Sequence, residues 1–146
     1  MITGTCRCGA VTYRLAGDAL PATYACHCLN CQTWSGSAFG EHALIPEESI
    51  AVEGETAIYR HTGEGFTSEQ VACKTCFTRL YNRNSAVPGM IVLRAGTLDA
   101  SDRLEPVAHI WVKRKQDWIV LPQGVPTWPE TPTPEQFGEA LRRSRG

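Results

Sequence analysis

Two stretches decide the fold of this chain: Cys6-Arg7-Cys8-Gly9 and Cys73-Lys74-Thr75-Cys76. Cysteines separated by one or two residues can present both sulfurs to one metal ion. Because a zinc–sulfur bond is about 2.3 Å long, the ligands of one site must nearly touch. Two such pairs from distant parts of the chain therefore predict a closed four-sulfur zinc site. The free energy of metal binding at such a site is also folding free energy.

A third stretch, Cys26-His27-Cys28-Leu29-Asn30-Cys31, carries the remaining three cysteines. Bound to one zinc, three sulfurs leave a fourth position, which catalytic zinc sites keep for water or substrate. An incoming thiol would bind there as a thiolate, well below its free pKa of about 8.5, and would be placed to attack an electrophile. The sequence thus predicts one zinc that folds the chain and a second that does chemistry.

Other arrangements of the seven cysteines stay open at this point. They include disulfides, a thioredoxin-like redox role for Cys73 and Cys76, one shared metal with spare thiols, and an outer pair that shares a metal with part of the triplet. Seven is an odd number, and no βαβ pattern surrounds Cys73, so the first two are disfavoured. The chain also opens from Met1 directly into the first cysteine pair, without the basic and apolar regions of a secretory signal. We therefore expect a reducing cytoplasmic setting, in which clustered cysteines are more often metal ligands.

A histidine could complete the triplet and make it a second structural site. His42 and His61 are the candidates. His27 would point away if Cys26 and Cys28 both point inward from an extended segment, and His109 lies in a strand-like run.

Composition places the chain among globular proteins that do not bind nucleic acid or cross membranes. It has 146 residues, 42% hydrophobic and 20% charged, with a net charge of −1. Phosphate binding needs a basic surface, and no apolar run approaches the length of a membrane span. The run Lys113-Arg114-Lys115 is short and is interpreted as a solvated turn between two strands. We predict a single zinc-binding domain over 1–146, with a core at 3–128 and a Pro-rich segment and tail at 129–146.

The pattern of apolar residues is mostly that of short β-strands. Alternating or apolar runs bounded by Gly or Pro predict an antiparallel, mainly β architecture, with strands at 10–15, 38–45, 50–52, 57–61, 68–72, 78–81, 90–95, 107–112 and 117–121. A short helical turn is expected over 28–35, where the triplet lies. Pro134 can begin a short C-terminal helix, with Thr133 as its cap.

The cysteine pattern resembles that of the glutathione-dependent formaldehyde-activating enzyme family. The resemblance covers about 3–128, and its motifs are Gly4-x-Cys6-x-Cys8-Gly9-x-Val11-x-Tyr13, Cys26-His27-Cys28-x-x-Cys31-x-x-x-Ser35-Gly36 and Cys73-x-x-Cys76. His109-Ile110-Trp111-Val112 and Trp118 are similar to the closing strands of that family. The resemblance implies a β-tent of antiparallel sheets that holds two zinc ions.

The resemblance also implies roles for the cysteines. Four would hold the structural zinc: Cys6, Cys8, Cys73 and Cys76. Three would hold the catalytic zinc: Cys26, Cys28 and Cys31. The implied reaction is that of a carbon–sulfur lyase, which joins glutathione to formaldehyde as S-(hydroxymethyl)glutathione, so the expected partners are a small-molecule thiol and an electrophile. The alternative is a non-enzymatic, zinc-stabilised binding module in which both zinc sites are structural.

Some positions depart from the family pattern or leave the substrate contacts open. Phe77 stands where members commonly carry glycine, in a turn that favours positive φ, so this turn must differ or be strained. Gln32 stands where members often have a basic residue, and Trp34 could be a pocket wall or a core residue. Glutathione needs partners for two carboxylates, and the candidates are Arg60, Arg79, Arg83 and Arg94.

Overall fold

The computed structural model describes residues 1–143 and confirms a mainly β protein. Its strands, in chain order, are β1 (Ile2–Thr5), β2 (Thr12–Leu15), β3 (Tyr24–Cys26), β4 (Gly40–Pro46), β5 (Ile50–Glu53), β6 (Thr56–Gly63), β7 (Phe66–Cys73), β8 (Arg79–Asn84), β9 (Met90–Arg94) and β10 (His109–Ile110). Its α-helices are α1 (Leu29–Ser35) and α2 (Pro134–Arg143). Within the described residues, no helix is long and apolar enough to span a membrane.

The chain forms two compact units. The first comprises 1–21 and 43–104, and the second comprises 22–42 and the chain from 105 onward. Strand β4 begins in the second unit and continues in the first. The prediction of a single zinc-binding domain over 1–146 stays a prediction.

The first unit contains an antiparallel three-stranded sheet in the order β1-β2-β5. In β2 the side chains alternate between exposed and buried, which is the pattern of a strand with one face on the core. The ring of Tyr13 lies over Gly4, where a Cβ atom would come within 2.0 Å of the ring. Only glycine therefore fits opposite Tyr13 in β1.

The same unit contains the later part of β4 (residues 43–46) and the strands β9, β8, β7 and β6, in that order. The pairs β6–β7, β7–β8 and β8–β9 are antiparallel. Side chains from these strands and from the three-stranded sheet pack in one hydrophobic core, which includes Val11, Tyr13, Leu80, Ile91 and Leu93. Two of the clustered cysteines, Cys6 and Cys73, lie in this core.

The second unit is built around β3. The start of β4 pairs with β3 in the antiparallel sense, and β10 pairs with it in parallel, which is an exception to the antiparallel pattern expected from the sequence. Helix α2 begins as predicted: Thr133 accepts a hydrogen bond from the N–H of Gln136, whose side chain accepts one from the N–H of Thr133. This reciprocal capping box supplies partners for two backbone donors at the helix start.

The predicted strands differ from the observed ones at four places. The strand predicted over 117–121 is wrong, because that segment contains a turn and pairs with no neighbour in the described chain. The strand predicted over 107–112 is reduced to His109–Ile110, since Trp111 adopts a left-handed conformation with φ 57° and begins a 3-10 turn. Strands β1 and β3 were not predicted from the sequence.

Candidate metal centres

The first unit brings Cys6, Cys8, Cys73 and Cys76 together, as their spacing predicted. Their sulfur atoms all lie within 4.8 Å of one another. The Sγ atoms of Cys6 and Cys8 are 3.6 Å apart, and those of Cys8 and Cys73 are 3.8 Å apart. Four sulfurs at 2.3 Å from a tetrahedral zinc would be separated by about 3.8 Å, whereas a disulfide bond is about 2.05 Å long. The four side chains therefore fit a metal ion and form no disulfide.

Backbone N–H groups stabilise negative charge on these sulfurs. The sulfur of Cys73, at the end of β7, accepts hydrogen bonds from the N–H groups of Thr75 and Cys76, at 3.4 and 3.5 Å. Burial raises the pKa of Cys6, but the N–H of Val11 and the neighbouring thiols outweigh it and hold that pKa below its usual value. Hydrogen bonds from Thr78 lower the pKa of Cys76 to about 5. Cys6 and Cys76 are thus set toward the thiolate form that a metal requires. At Cys8 the N–H of Ala10 lowers the pKa, but burial and the neighbouring thiols outweigh it and raise that pKa to about 11.

The turn after Cys76 is strained at Phe77. This residue has φ 62°, in the left-handed region, and its N–H donates to the carbonyl of Cys73 at 2.9 Å. The turn keeps the glycine-type conformation although a phenylalanine occupies it. The side chain is 72% exposed, so little packing compensates for the strain.

We expect Phe77→Gly to stabilise the zinc-loaded protein by about 1 kcal/mol relative to Phe77→Ala, because the left-handed conformation crowds any Cβ atom. Alanine is the matched control, since it removes the same exposed ring but keeps the Cβ. Urea unfolding curves of both variants measure the difference. Equal midpoints would show that the turn around Phe77 carries no strain.

The second unit brings Cys26, Cys28 and Cys31 together, with all three sulfurs within 4.8 Å of one another. Cys26 is the last residue of β3, and Cys28 is the N-cap of α1. The Cys28 sulfur accepts a hydrogen bond from the N–H of Cys31 at 3.4 Å. Because the chain changes from strand to helix between Cys26 and Cys31, the three sulfurs can converge on one point.

The three thiols of this cluster share negative charge. Hydrogen bonds from Cys26 and Cys31 lower the pKa of Cys28 to about 2. The pKa of Cys26 is raised far above its usual value, first by its hydrogen bond to Cys28 and then by that to Cys31. One thiolate stabilised by two neighbouring thiols is the arrangement that a divalent cation would convert to three thiolate ligands.

Within residues 1–143, no histidine or carboxylate joins either group of cysteines. His42, one of the two candidates, packs edge-on against Tyr24 with ring centroids 5.5 Å apart. His61, the other candidate, lies on β6 near Phe66. The triplet therefore presents three protein donors, against four in the other cluster.

His27 does not join the neighbouring cysteines, as expected for an extended segment. Its ring is fully buried, and its Nε2 lies 3.0 Å from Nδ1 of His109. Burial, followed by the charges of His109 and Lys115, lowers the pKa of His27 to about 4. The two histidines are therefore neutral at pH 7 and pack in the interior of the second unit.

Gln32 has a role that the sequence did not reveal. Its Nε2 donates to the carbonyl of His27 and to the carbonyl of Arg114, both at 2.9 Å. The helix that carries Cys31 is thereby tied both to the loop between Cys26 and Cys28 and to the 3-10 turn Val112–Arg114. The residues lie too far apart in the chain for spacing to suggest this contact.

An open cleft of about 560 Å³ lies along one face of α1. Leu29, Gln32 and Thr33 line it from the helix, and Gln116 and Trp118 line it from the segment after the basic residues. The Trp118 side chain is 72% exposed, and Trp34 is 45% exposed, so neither is a core residue. Because Leu29 follows Cys28 directly, the cleft begins next to the cysteine triplet.

The four arginines considered for carboxylate binding all lie in the first unit, where internal partners hold them. Arg60 pairs with Glu69 at 2.9 Å, and Arg83 pairs with Glu47. Arg79 and Arg94 both donate to the side-chain oxygen of Gln70. Each of the four arginines thus has a partner in the first unit, and none belongs to the unit that contains the triplet.

Comparison with known proteins gives a family, a relative and a fold. The model of the family described as "Glutathione-dependent formaldehyde-activating enzyme" matches residues 1–114. A Halomonas elongata protein, provisionally named as such an enzyme, is 26% identical over 127 residues, which cover 83% of this chain and 81% of that protein. A crystal structure of a Rhodobacter sphaeroides protein has a TM-score of 0.53 at 17% identity, covering 86% of this chain and 98% of that one. The likeness to the crystal structure concerns the fold alone.

Proposed function

This chain belongs to the glutathione-dependent formaldehyde-activating enzyme family, and from that premise we propose that it makes and breaks the carbon–sulfur bond of S-(hydroxymethyl)glutathione. The observation that carries the proposal is the contrast between the two cysteine clusters. Four sulfurs converge in one cluster and three in the other, and no further protein donor completes the second among residues 1–143. A closed site suits a structural metal, and an incomplete one suits a substrate ligand.

The proposed reaction joins two small molecules without oxidation or reduction. The glutathione sulfur loses its proton to solvent and forms a bond to the carbonyl carbon of formaldehyde. The carbonyl π bond breaks, and its oxygen takes up a proton to become the hydroxyl group of the product. The reverse sequence cleaves the same carbon–sulfur bond.

We assign different roles to the two cysteine clusters. Cys6, Cys8, Cys73 and Cys76 would hold a structural zinc, and Cys26, Cys28 and Cys31 would hold the catalytic one. Zinc at the triplet would supply a positive charge that keeps an incoming thiol deprotonated at neutral pH. The N–H of Cys31 and the Gln32 side chain fix the loop and the helix that carry the three sulfurs.

Glutathione binding to the zinc-loaded protein is expected to release about one proton per molecule bound near pH 7, because the free thiol is mostly protonated there. Titration calorimetry in two buffers of different ionisation enthalpy measures this release. S-methylglutathione, which has no thiol proton, is the matched ligand and should bind at least about tenfold more weakly, without proton release. Carbon-13 exchange spectroscopy with labelled formaldehyde should then show adduct formation that is faster than in buffer.

Absence of both heat and proton release with glutathione at about millimolar concentration would remove glutathione as the substrate. Another small thiol that gave both signals would keep the carbon–sulfur chemistry and change the substrate. No response to any thiol would favour the alternative, a binding module with two structural zinc sites.

A further inference from the structure

Two cations of the second unit, Arg114 and Lys115, lie on a turn that Gln32 ties to the loop of the cysteine triplet. The basic turn, Lys113-Arg114-Lys115, follows β10 in the second unit. Lys113 is engaged, since its Nζ lies 2.6 Å from Glu130 and 5.0 Å from the centre of the Trp111 ring. In the part of the chain that the structure describes, neither Arg114 nor Lys115 forms a side-chain hydrogen bond or an ion pair with a carboxylate.

The basic turn is fixed to the loop that carries the triplet. Gln32 uses both of its side-chain N–H groups to join the carbonyl of His27 to that of Arg114. The turn itself is closed by hydrogen bonds from the N–H of Arg114 to Trp111 and from the N–H of Lys115 to Val112. The backbone of the basic turn is therefore held next to the loop between Cys26 and Cys28.

The net negative charge of the proposed site favours a cation close to it. Three thiolates and one divalent zinc ion sum to about −1, and a glutathione thiolate, with two carboxylates and one ammonium group, adds a net charge of about −2. Without nearby positive charge, the site would repel its own substrate. We propose that Arg114 and Lys115 bind a carboxylate of the thiol substrate, an inference that rests on the proposed function.

Glutathione is long enough for its sulfur and a carboxylate to bind at separate points. In the extended molecule its carboxylates lie roughly 7 Å or more from the sulfur. A carboxylate can therefore bind beside the loop that carries the triplet while the sulfur stays at the three cysteines. Arginine also offers a fork of donors that matches a carboxylate. Gln32 is then a positioning residue, which acts by holding the basic turn.

The diethyl ester of glutathione separates carboxylate recognition from thiol binding, since it keeps the thiol and loses both negative charges. For the zinc-loaded wild type, calorimetry should show the ester binding about tenfold more weakly than glutathione, or about 1.4 kcal/mol. In the double variant Arg114→Gln/Lys115→Gln, glutathione should weaken to the level of the ester, and the affinity for the ester should not change. Lys113→Gln removes one charge from the same turn and should alter glutathione affinity by less than about twofold.

The dependence of binding on ionic strength tests the role of the two cations in the wild-type protein. Raising the ionic strength from about 0.05 to about 0.5 M should reduce the wild-type preference for glutathione over the ester, because both cations are near the surface. A double variant that still prefers glutathione about tenfold, or a wild type that binds both ligands equally, would overturn the role of Arg114 and Lys115 and leave the proposed function standing. A wild type that binds neither ligand would overturn the proposed function itself.

Discussion

Cys76→Ser is expected to prevent the chain from folding. Its sulfur belongs to the cluster that joins the segment after β1 to the end of β7, with Cys6 and Cys73 buried in the core. Removing one ligand opens the closed site and leaves unpaired thiolates in the interior. Structural zinc binding is worth about 10–16 kcal/mol in small domains, against a typical folding stability of about 5–15 kcal/mol. Far-ultraviolet circular dichroism and zinc analysis of the refolded variant measure the loss.

Thr75→Ser is the matched control for this change, since it alters a neighbouring hydroxyl residue that donates only its backbone N–H to Cys73. It should fold and bind zinc as the wild type does. A Cys76→Ser protein with native circular dichroism and full zinc content would contradict the structural role of the four-cysteine cluster.

Cys31→Ser is expected to keep the fold and to lose about one of two zinc ions per chain. Cys31 is half-buried on α1, outside the hydrophobic core of the first unit. With two sulfurs left, the triplet can no longer hold its metal firmly, so glutathione-dependent proton release should disappear. Zinc analysis, circular dichroism and two-buffer calorimetry on the same sample check the three parts.

The control for the triplet is Thr33→Ser, two residues further along α1, which should keep both zinc ions and the proton release. Collapse of the Cys31→Ser protein to the same extent as Cys76→Ser would mean that the triplet is structural too. A Cys31→Ser protein that kept two zinc ions would show that the three cysteines do not share a metal.

The cysteine spacing predicted both clusters because short-range ligand pairs fix local geometry. A pair such as Cys73 and Cys76 closes one turn whatever surrounds it, and the turn directs its own N–H groups to the sulfur. The helix at 28–35 and the cap at Thr133 were equally predictable, since each depends on neighbouring residues. Strained Phe77 was foreseen for the same reason.

The sequence could not predict features that depend on distant partners. β3 is buried along its whole length, so it shows no alternation, and its neighbour β10 joins it from far along the chain. The segment 117–121 contains an apolar run, Trp118-Ile119-Val120-Leu121, but in the described chain no strand lies beside it. Gln32 and the basic turn each stood out in the sequence, but only the fold places the amide of Gln32 at the carbonyl of Arg114.

X-ray absorption at the zinc edge tests the central claim most directly, because it counts sulfur neighbours with and without glutathione. We expect about 3.5 sulfurs per zinc on average for the free protein, from one four-sulfur and one three-sulfur site. Saturating glutathione should raise this mean to about 4, and S-methylglutathione should leave it unchanged. A mean that stays the same when glutathione is added would contradict an open, thiol-accepting site at Cys26, Cys28 and Cys31.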